Sequence, residues 1–252
     1  TKDPDKRTNS KSIKKLKINN IKVNIGLTRN YTLLNNRFFY INNKYERSYI
    51  KYKLAVTKDF KIAKSNYDSK WISNLFSRKF SHLLRFKSQA ILTTYSTIKY
   101  DDPKLTIRLN NYPEYKNTII ILDSKLEINL SSKIIKSAQK RKIFIFTMLK
   151  NSKKITKLKK LNCHIIFIKS SKNYFNLKSI LKFTYKLGIS DIMIEAGGKL
   201  FTNMYNNKLI DELHLFISPK KIGKKGIQMY SSNKIFSLNK HQTQLVNKKN
   251  FK

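Results

Sequence analysis

Eight short apolar runs recur along this chain, each five to eight residues long: "IKVNIG" (21–26), "YIKYKLAV" (49–56), "AILTT" (90–94), "TIIILD" (118–123), "KIFIFT" (142–147), "HIIFIK" (164–169), "DIMIEA" (191–196) and "ELHLFISP" (212–219). Runs of that length, rich in Ile, Val and Phe, read as strands. Between them the apolar period becomes helical. Phe76, Phe80, Leu83 and Leu84 fall at i, i+4, i+7 and i+8 over residues 74–87, with Ser73 placed to cap. Leu177, Ile180, Leu181 and Thr184 line one face of a helix that Gly188 can stop. "KSIKKLKI" (11–18) reads as a short helix, and the Asn- and aromatic-rich stretch that follows "IKVNIG" as helical until it loosens at "INNKYER" (41–47). Strands alternating with helices predict an α/β fold: a mostly parallel central sheet flanked by helices on both faces. No internal repeat breaks the pattern.

The 252 residues suffice for a substantial core, and 40% hydrophobic content with only 6 Gly and 4 Pro excludes a disordered or collagen-like chain. A formal charge of +40, from 54 basic and 14 acidic residues, suggests a polyanion partner at first sight. The basic residues are spread over nearly every segment, however, and only eight are Arg. Abundant Lys, Asn and Ile together suit low-GC coding. The expectation is therefore a solvated basic surface with no specific nucleic-acid site. Cys163 is the sole cysteine, which excludes an intrachain disulfide and any Cys-clustered zinc site, and suits a reducing, cytoplasmic setting. No run approaches the roughly 18 apolar residues of a membrane span. The chain starts at Thr1 rather than Met, as expected of a fragment or processed form.

Two stretches carry candidate chemistry. "IEAGGKLFTNMY" (194–205) ends a strand in a carboxylate, Glu195, followed at once by small residues, Ala196 and the pair Gly197 and Gly198, and then a helix. Bare backbone at a helix N-terminus lets a phosphate or flat ring approach closely. Taken alone, those glycines equally suit an ordinary strand-to-helix turn. "SKWIS" (69–73) and "LLRFKSQAILTTYSTIKYDDPKLTIR" (83–108) form the second stretch. There Arg85 and Arg108 bracket a segment in which Asp101 and Asp102 precede Pro103. Arg in a chain that otherwise uses Lys offers planar, bidentate donors suited to phosphate.

In order and spacing, "KLAVTKD" (53–59), "DSKWIS" (68–73), residues 83–108, "ILDS" (121–124), "IEAGGKLF" (194–201) and "LIDELHLFISPKKIG" (209–223) resemble the reductase domain of the RibD family of bifunctional riboflavin biosynthesis proteins. The resemblance implies a dihydrofolate-reductase-like fold. It also implies NADPH-dependent reduction of 5-amino-6-(5-phosphoribosylamino)uracil to its ribityl counterpart, a small pyrimidine sugar phosphate, by a homodimer. Carried over, it puts Ala55, Trp71, Thr97, Asp101, Ser124, Gly197, Gly198, Lys199, Leu200, Phe201, Thr202 and Asn203 at NADPH. Ser69, Arg85, Leu105, Arg108 and Glu195 fall at the substrate, with Lys53 close by. For the proton, Asp101 or a water is the candidate.

Residues 1–46 resemble the end of the family's deaminase domain, leaving 47–252 as the reductase domain. The deaminase's His-x-Glu and Cys pair do not occur, so neither bound zinc nor deamination is expected. Where the family has Ser-Leu-Asp-Gly, this chain reads Thr57, Lys58, Asp59, Phe60. Losing that glycine puts the turn's conformation in question. The family's closing strand is not evident after "HQTQLVNKKNFK" (241–252). The competing readings are a reductase of the same fold acting on a pterin or another substrate, and a non-catalytic basic module that binds polyanions.

Overall fold

β-Branched residues dominate the apolar runs, and side chains that pack on a pleated surface turn those runs into strands. The computed structural model describes residues 3–8, 10–67, 72, 74–109, 116–169 and 174–231. Its strands are β1 (Tyr49–Thr57), β2 (Lys61–Ala63), β3 (Ala90–Thr94), β4 (Thr118–Leu122), β5 (Ile143–Thr147), β6 (Cys163–Phe167), β7 (Asp191–Glu195), β8 (Glu212–Ser218) and β9 (Ile227–Gln228). Its helices are α1 (Lys11–Ile18), α2 (Arg29–Asn35), α3 (Arg37–Tyr45), α4 (Leu75–Phe86), α5 (Tyr95–Asp101), α6 (Lys133–Lys136), α7 (Lys153–Lys160), α8 (Leu177–Lys186) and α9 (Gly198–Asn206).

Seven strands form one sheet in the order β6-β5-β4-β3-β7-β1-β8, every pair parallel, while β2 and β9 make a separate antiparallel pair. Alternation along each strand divides the core in two. Ile50, Tyr52, Leu54, Leu92, Ile192 and Ile194 face one side with Ile180 and Leu181 of α8 and Phe201 and Met204 of α9. Ile91, Ile119, Ile121, Ile143 and Ile145 face the other with Ile98 of α5, Ile134 and Ile135 of α6 and Leu158 of α7. The opposite parity of β1 and β7 is charged. Lys51 and Lys53 stand in register with Met193 and Glu195, and Asp191 makes a buried ion pair with Lys51. A buried parallel sheet is normally apolar on both faces, so this charged strip under α4 marks where the sheet does something besides pack.

Several expectations need correction. Residues 21–26 form no strand. Ile21 and Ile25 are exposed, and among the described residues no strand lies alongside, so the alternating pattern has nothing to pair with. Helix α3 runs on to Tyr45 instead of loosening at residue 41, because it is docked on the sheet. Phe38 meets Tyr49 edge to face with centroids 4.7 Å apart, and Asn42 Nδ2 donates to the Arg47 and Ser190 carbonyls at 2.7 and 2.8 Å. Ser73 lies outside the described residues, and α4 is capped by Asn74, whose side chain accepts from the Ser77 N–H. Gly188 does follow α8, in the left-handed region at φ 83°. Phe60 takes the same region, at φ 56°, in the turn where the family has glycine. The turn is kept, and a bulky residue bears its strain.

Candidate functional site

Strand order creates the site. The chain leaves β3 for α5 on one face of the sheet and leaves β7, the adjacent strand, for α9 on the other. Where neighbouring connections diverge in this way, a crevice opens beyond the strands' carboxyl ends. Hydroxyls hold the lip of that crevice from both sides. Thr93 Oγ1 donates to the Glu195 carbonyl at 2.8 Å, and the buried Tyr52 hydroxyl donates to the Gly197 carbonyl at 3.1 Å.

The two glycines have different reasons to be glycine. A Cβ on Gly197 would meet only Ile62 Cδ1, at 3.9 Å, and the residue is exposed. A Cβ on Gly198 would sit 2.5 Å from the Gln228 carbonyl oxygen and 2.7 Å from that of Met229. Gly197 leaves room in the crevice, whereas Gly198 lets the segment at β9 pack against α9. Of the residues that follow, Lys199 and Asn203 are exposed and Leu200 is half-buried. Phe201 is in the core against Tyr52, and buried Thr202 accepts from the Ser231 N–H at 3.0 Å.

Of the other cofactor candidates, Ala55, Thr97 and Ser124 lie near the carboxyl ends of β1, β3 and β4. Half-buried Ala55 is near the end of β1, and Thr97 is in the first turn of α5, its N–H donating to the capping Thr94 hydroxyl at 3.3 Å. Asp101 ends α5 and is exposed. Ser124 follows β4 in a turn braced by Asp123, whose buried carboxylate accepts from the Glu127 and Ile128 N–H groups at 2.9 and 2.8 Å. Ser69 and Trp71 lie outside the described residues.

On the substrate side, Arg85 and Glu195 are brought together, and they bind each other. Arg85 Nε donates to Oε1 at 2.5 Å and Nη2 to Oε2 at 3.0 Å, with both side chains 12% exposed. Nη1 donates to the Thr106 carbonyl at 2.8 Å. The fork that the sequence reading assigned to substrate is therefore closed on Glu195. Burial works to raise the Glu195 carboxyl, but the charge and hydrogen bonds of Arg85, helped by Lys53, outweigh it and hold the group below its ordinary pKa. Lys53, the register partner of Glu195, is pushed down, by burial first and then by the charge of Arg85, against the pull of Glu195. Its Nζ stands 5.7 Å from the Phe216 ring centroid. Arg108 is exposed. Leu105 is buried in the second core at φ 45°, so its side chain holds the loop and does not enter the crevice.

Sequence reasoning missed two residues here. Arg141 donates to the Leu105 and Lys104 carbonyls at 3.0 and 2.6 Å, and burial together with the Arg85 charge lowers its pKa to about 10. His82, one turn before Arg85 on α4, lies between Arg85 and the Arg108 backbone. Arginine's scarcity was a signal for the first. A lone histidine on a helix gave none for the second.

A dinucleotide phosphate calls for unpartnered N–H groups, bare backbone and a nearby cation. The N-terminus of α9, where the N-cap Gly197 has no side chain to cap it, offers these with Lys199, so the residues present fit a nicotinamide cofactor. Among the described residues no three His, Cys, Asp or Glu side chains gather to hold a metal ion, and no helix is long and apolar enough to cross a membrane.

The family model described as the RibD C-terminal domain matches residues 48–249. Riboflavin biosynthesis protein RibD of Aquifex aeolicus is 35% identical over 224 residues, covering 88% of this chain and 61% of that protein. A 5-amino-6-(5-phosphoribosylamino)uracil reductase of Buchnera aphidicola subsp. Acyrthosiphon pisum is 36% identical over 169 residues, covering 63% of this chain and 79% of that protein. Among solved structures, Acinetobacter baumannii RibD superposes with a TM-score of 0.77 at 24% identity, covering 96% of this chain and 65% of that one. The Thermotoga maritima diaminohydroxyphosphoribosylaminopyrimidine deaminase/5-amino-6-(5-phosphoribosylamino)uracil reductase does so at 0.75 and 25%, covering 92% and 62%. The fold is dihydrofolate-reductase-like, and the chain spans 61% of the length of the Aquifex RibD protein it matches.

Proposed function

The chain belongs to the RibD C-terminal domain family, and we propose on that footing that it reduces 5-amino-6-(5-phosphoribosylamino)uracil to 5-amino-6-(5-phosphoribitylamino)uracil with NADPH. One observation carries the reading: a buried carboxylate held ionised, Glu195, stands at a strand end two residues before the open backbone of Gly197. In this reading Gly197, Lys199 and the first N–H groups of α9 hold the cofactor, with Ala55, Thr97, Asp101 and Ser124 along the crevice and Trp71 completing that side. When bound, the nicotinamide supplies the hydride. Glu195 accepts hydrogen bonds from the polar substrate, and Arg85 serves the substrate by fixing Glu195 rather than by gripping a phosphate. Arg108, Lys53 and Ser69 supply the remaining polar contacts. What the chain contributes is chiefly position: reacting atoms held about 3–3.5 Å apart and aligned.

Residues 1–46 are, in the same reading, the end of a deaminase domain, and the reductase works as a homodimer in the cytoplasm. Strand β8, at the edge of the sheet among the described residues and with Ile217 57% exposed, would give a second copy an apolar margin. The experiment is to incubate purified chain with the ribosylaminouracil phosphate and NADPH, or NADH in parallel, and follow loss of reduced-nicotinamide absorbance and gain of two hydrogens in the product. NADPH oxidation dependent on that substrate, and not on dihydrofolate, is expected. A folded chain that neither binds nor oxidises NADPH overturns the reading.

A further inference from the structure

His82 is buried between the two arginines that the sequence marks out, yet the reaction as proposed makes no use of it. Two polar atoms meet its Nδ1. The Arg108 N–H points at it from 3.2 Å, and the Thr106 carbonyl oxygen lies 3.1 Å away. One ring nitrogen cannot accept from the first and donate to the second. A backbone N–H can only donate, and the Thr106 carbonyl already accepts from Arg85 Nη1, which also lies 3.5 Å from Nδ1. The tautomer that gives the Arg108 N–H an acceptor puts the lone pair on Nδ1 and the proton on Nε2.

This bond is the last of three anchors on one loop. Arg141 holds the carbonyls of Lys104 and Leu105, Arg85 holds that of Thr106, and His82 holds the N–H of Arg108. The first two fix the loop to the core. The third fixes Arg108, whose side chain is exposed. We propose that His82 is a positioning residue, whose Nδ1 lone pair, by accepting the Arg108 N–H, sets where the Arg108 guanidinium stands relative to the Arg85–Glu195 pair. The inference rests on Arg108 serving the substrate. Burial, then the charges of Arg85 and Arg108, lower the ring's pKa to about 4, so the lone pair is present at neutral pH.

Two substitutions separate positioning from packing. His82→Asn keeps an acceptor, since Asn Oδ1 is as many bonds from Cα as Nδ1 is, and His82→Leu fills the space without one. Amide exchange of Arg108, read by NMR, reports the anchor whether or not the chain turns over substrate. Steady-state kinetics with the ribosylaminouracil phosphate report its consequence. In His82→Leu we expect Arg108 exchange and KM each to rise about tenfold, the worth of one hydrogen bond, with kcat and the NADPH Kd within about twofold of wild type. His82→Asn should return both to within about threefold of wild type. Should the Leu variant not fold, His82→Gln, whose amide oxygen lies one bond further out, takes its place. Equal defects in the Asn and Leu variants, or faster exchange with an unmoved KM, overturn the proposal. Expected exchange behaviour in a wild-type chain that reduces nothing overturns the reductase reading, leaving His82 as the Arg108 anchor alone.

Discussion

Arg85→Met tests whether the buried pair at the heart of the site is a unit. Methionine keeps the apolar stem and removes the guanidinium, leaving Glu195 almost wholly buried with Lys53 as its remaining cation. Breaking a buried ion pair from one side costs roughly 3–5 kcal/mol, and the surviving Lys53 puts this case at the lower end, about 3 kcal/mol. For a chain of this size that lowers Tm by about 6–12 °C. Glu195→Gln should cost a similar amount, because Arg85 then loses its counter-charge and one of the two oxygens that accept from it. The double variant should cost less than the sum of the two by at least about 1.5 kcal/mol, since neither partner is left unpaired. Urea unfolding of the four proteins at neutral pH measures this. The sign with pH follows from Glu195's lowered pKa: its contribution is complete above the unfolded value of about 4.3 and is lost as pH falls through the lower folded value. The Arg85→Met penalty should therefore be full at neutral pH and shrink as pH falls, first as the buried, unpaired Glu195 of the variant takes up a proton and then as wild type passes through its lower folded value. Additivity within about 0.5 kcal/mol would refute the pair as a coupled unit, and a penalty that grew on acidification would refute the ionised state of Glu195.

Phe60→Gly should stabilise the fold by about 0.5–1 kcal/mol in the same assay: relief of a left-handed non-glycine residue, worth about 1–2, exceeds the added unfolded-state entropy of about 0.4–1. Gly198→Ala should cost about 1–3 kcal/mol, because its Cβ meets two backbone carbonyls. Gly197→Ala should change stability by under about 1 kcal/mol while weakening NADPH binding measured by fluorescence titration. His82, with a folded pKa of about 4 against an ordinary 6.5, binds fewer protons folded than unfolded between those values, so stability should fall as pH drops from 6.5 toward 4. His82→Asn should flatten that slope in urea titrations across the range, and an unchanged slope would count against a neutral buried ring.

Seven of the eight apolar runs became the main sheet, because short runs rich in Ile, Val, Leu and Phe, bounded by polar residues, leave little choice but a buried strand. "IKVNIG" failed for a reason no single segment carries: a strand needs a neighbour, and among the described residues Ile21 and Ile25 have none beside them. The β2–β9 pair escaped notice because two or three residues show no period. The fold followed from local pattern, whereas the charged strip under α4 did not. Lys51 and Lys53 read simply as polar positions of an alternating strand, and only sheet order reveals that they face Asp191 and Glu195.

Arginine shows the same divide within the site. In a chain that covers itself with Lys, a planar fork is kept where fixed geometry is needed, and scarcity did mark such places. Arg37 meets Glu212, Arg47 grips Asp211 through both terminal nitrogens, Arg85 grips Glu195, and Arg141 gathers two loop carbonyls. What scarcity could not show was the partner. A phosphate and a buried carboxylate ask for the same fork, and Arg85 lies 110 residues from Glu195. They meet because β7, late in the chain, inserts between β1 and β3 with its acidic end under α4. Arg108 is left as the exposed guanidinium of the pair, held at its backbone by a histidine, so in the proposed function discrimination for a sugar phosphate would depend on one anchored loop rather than on two forks.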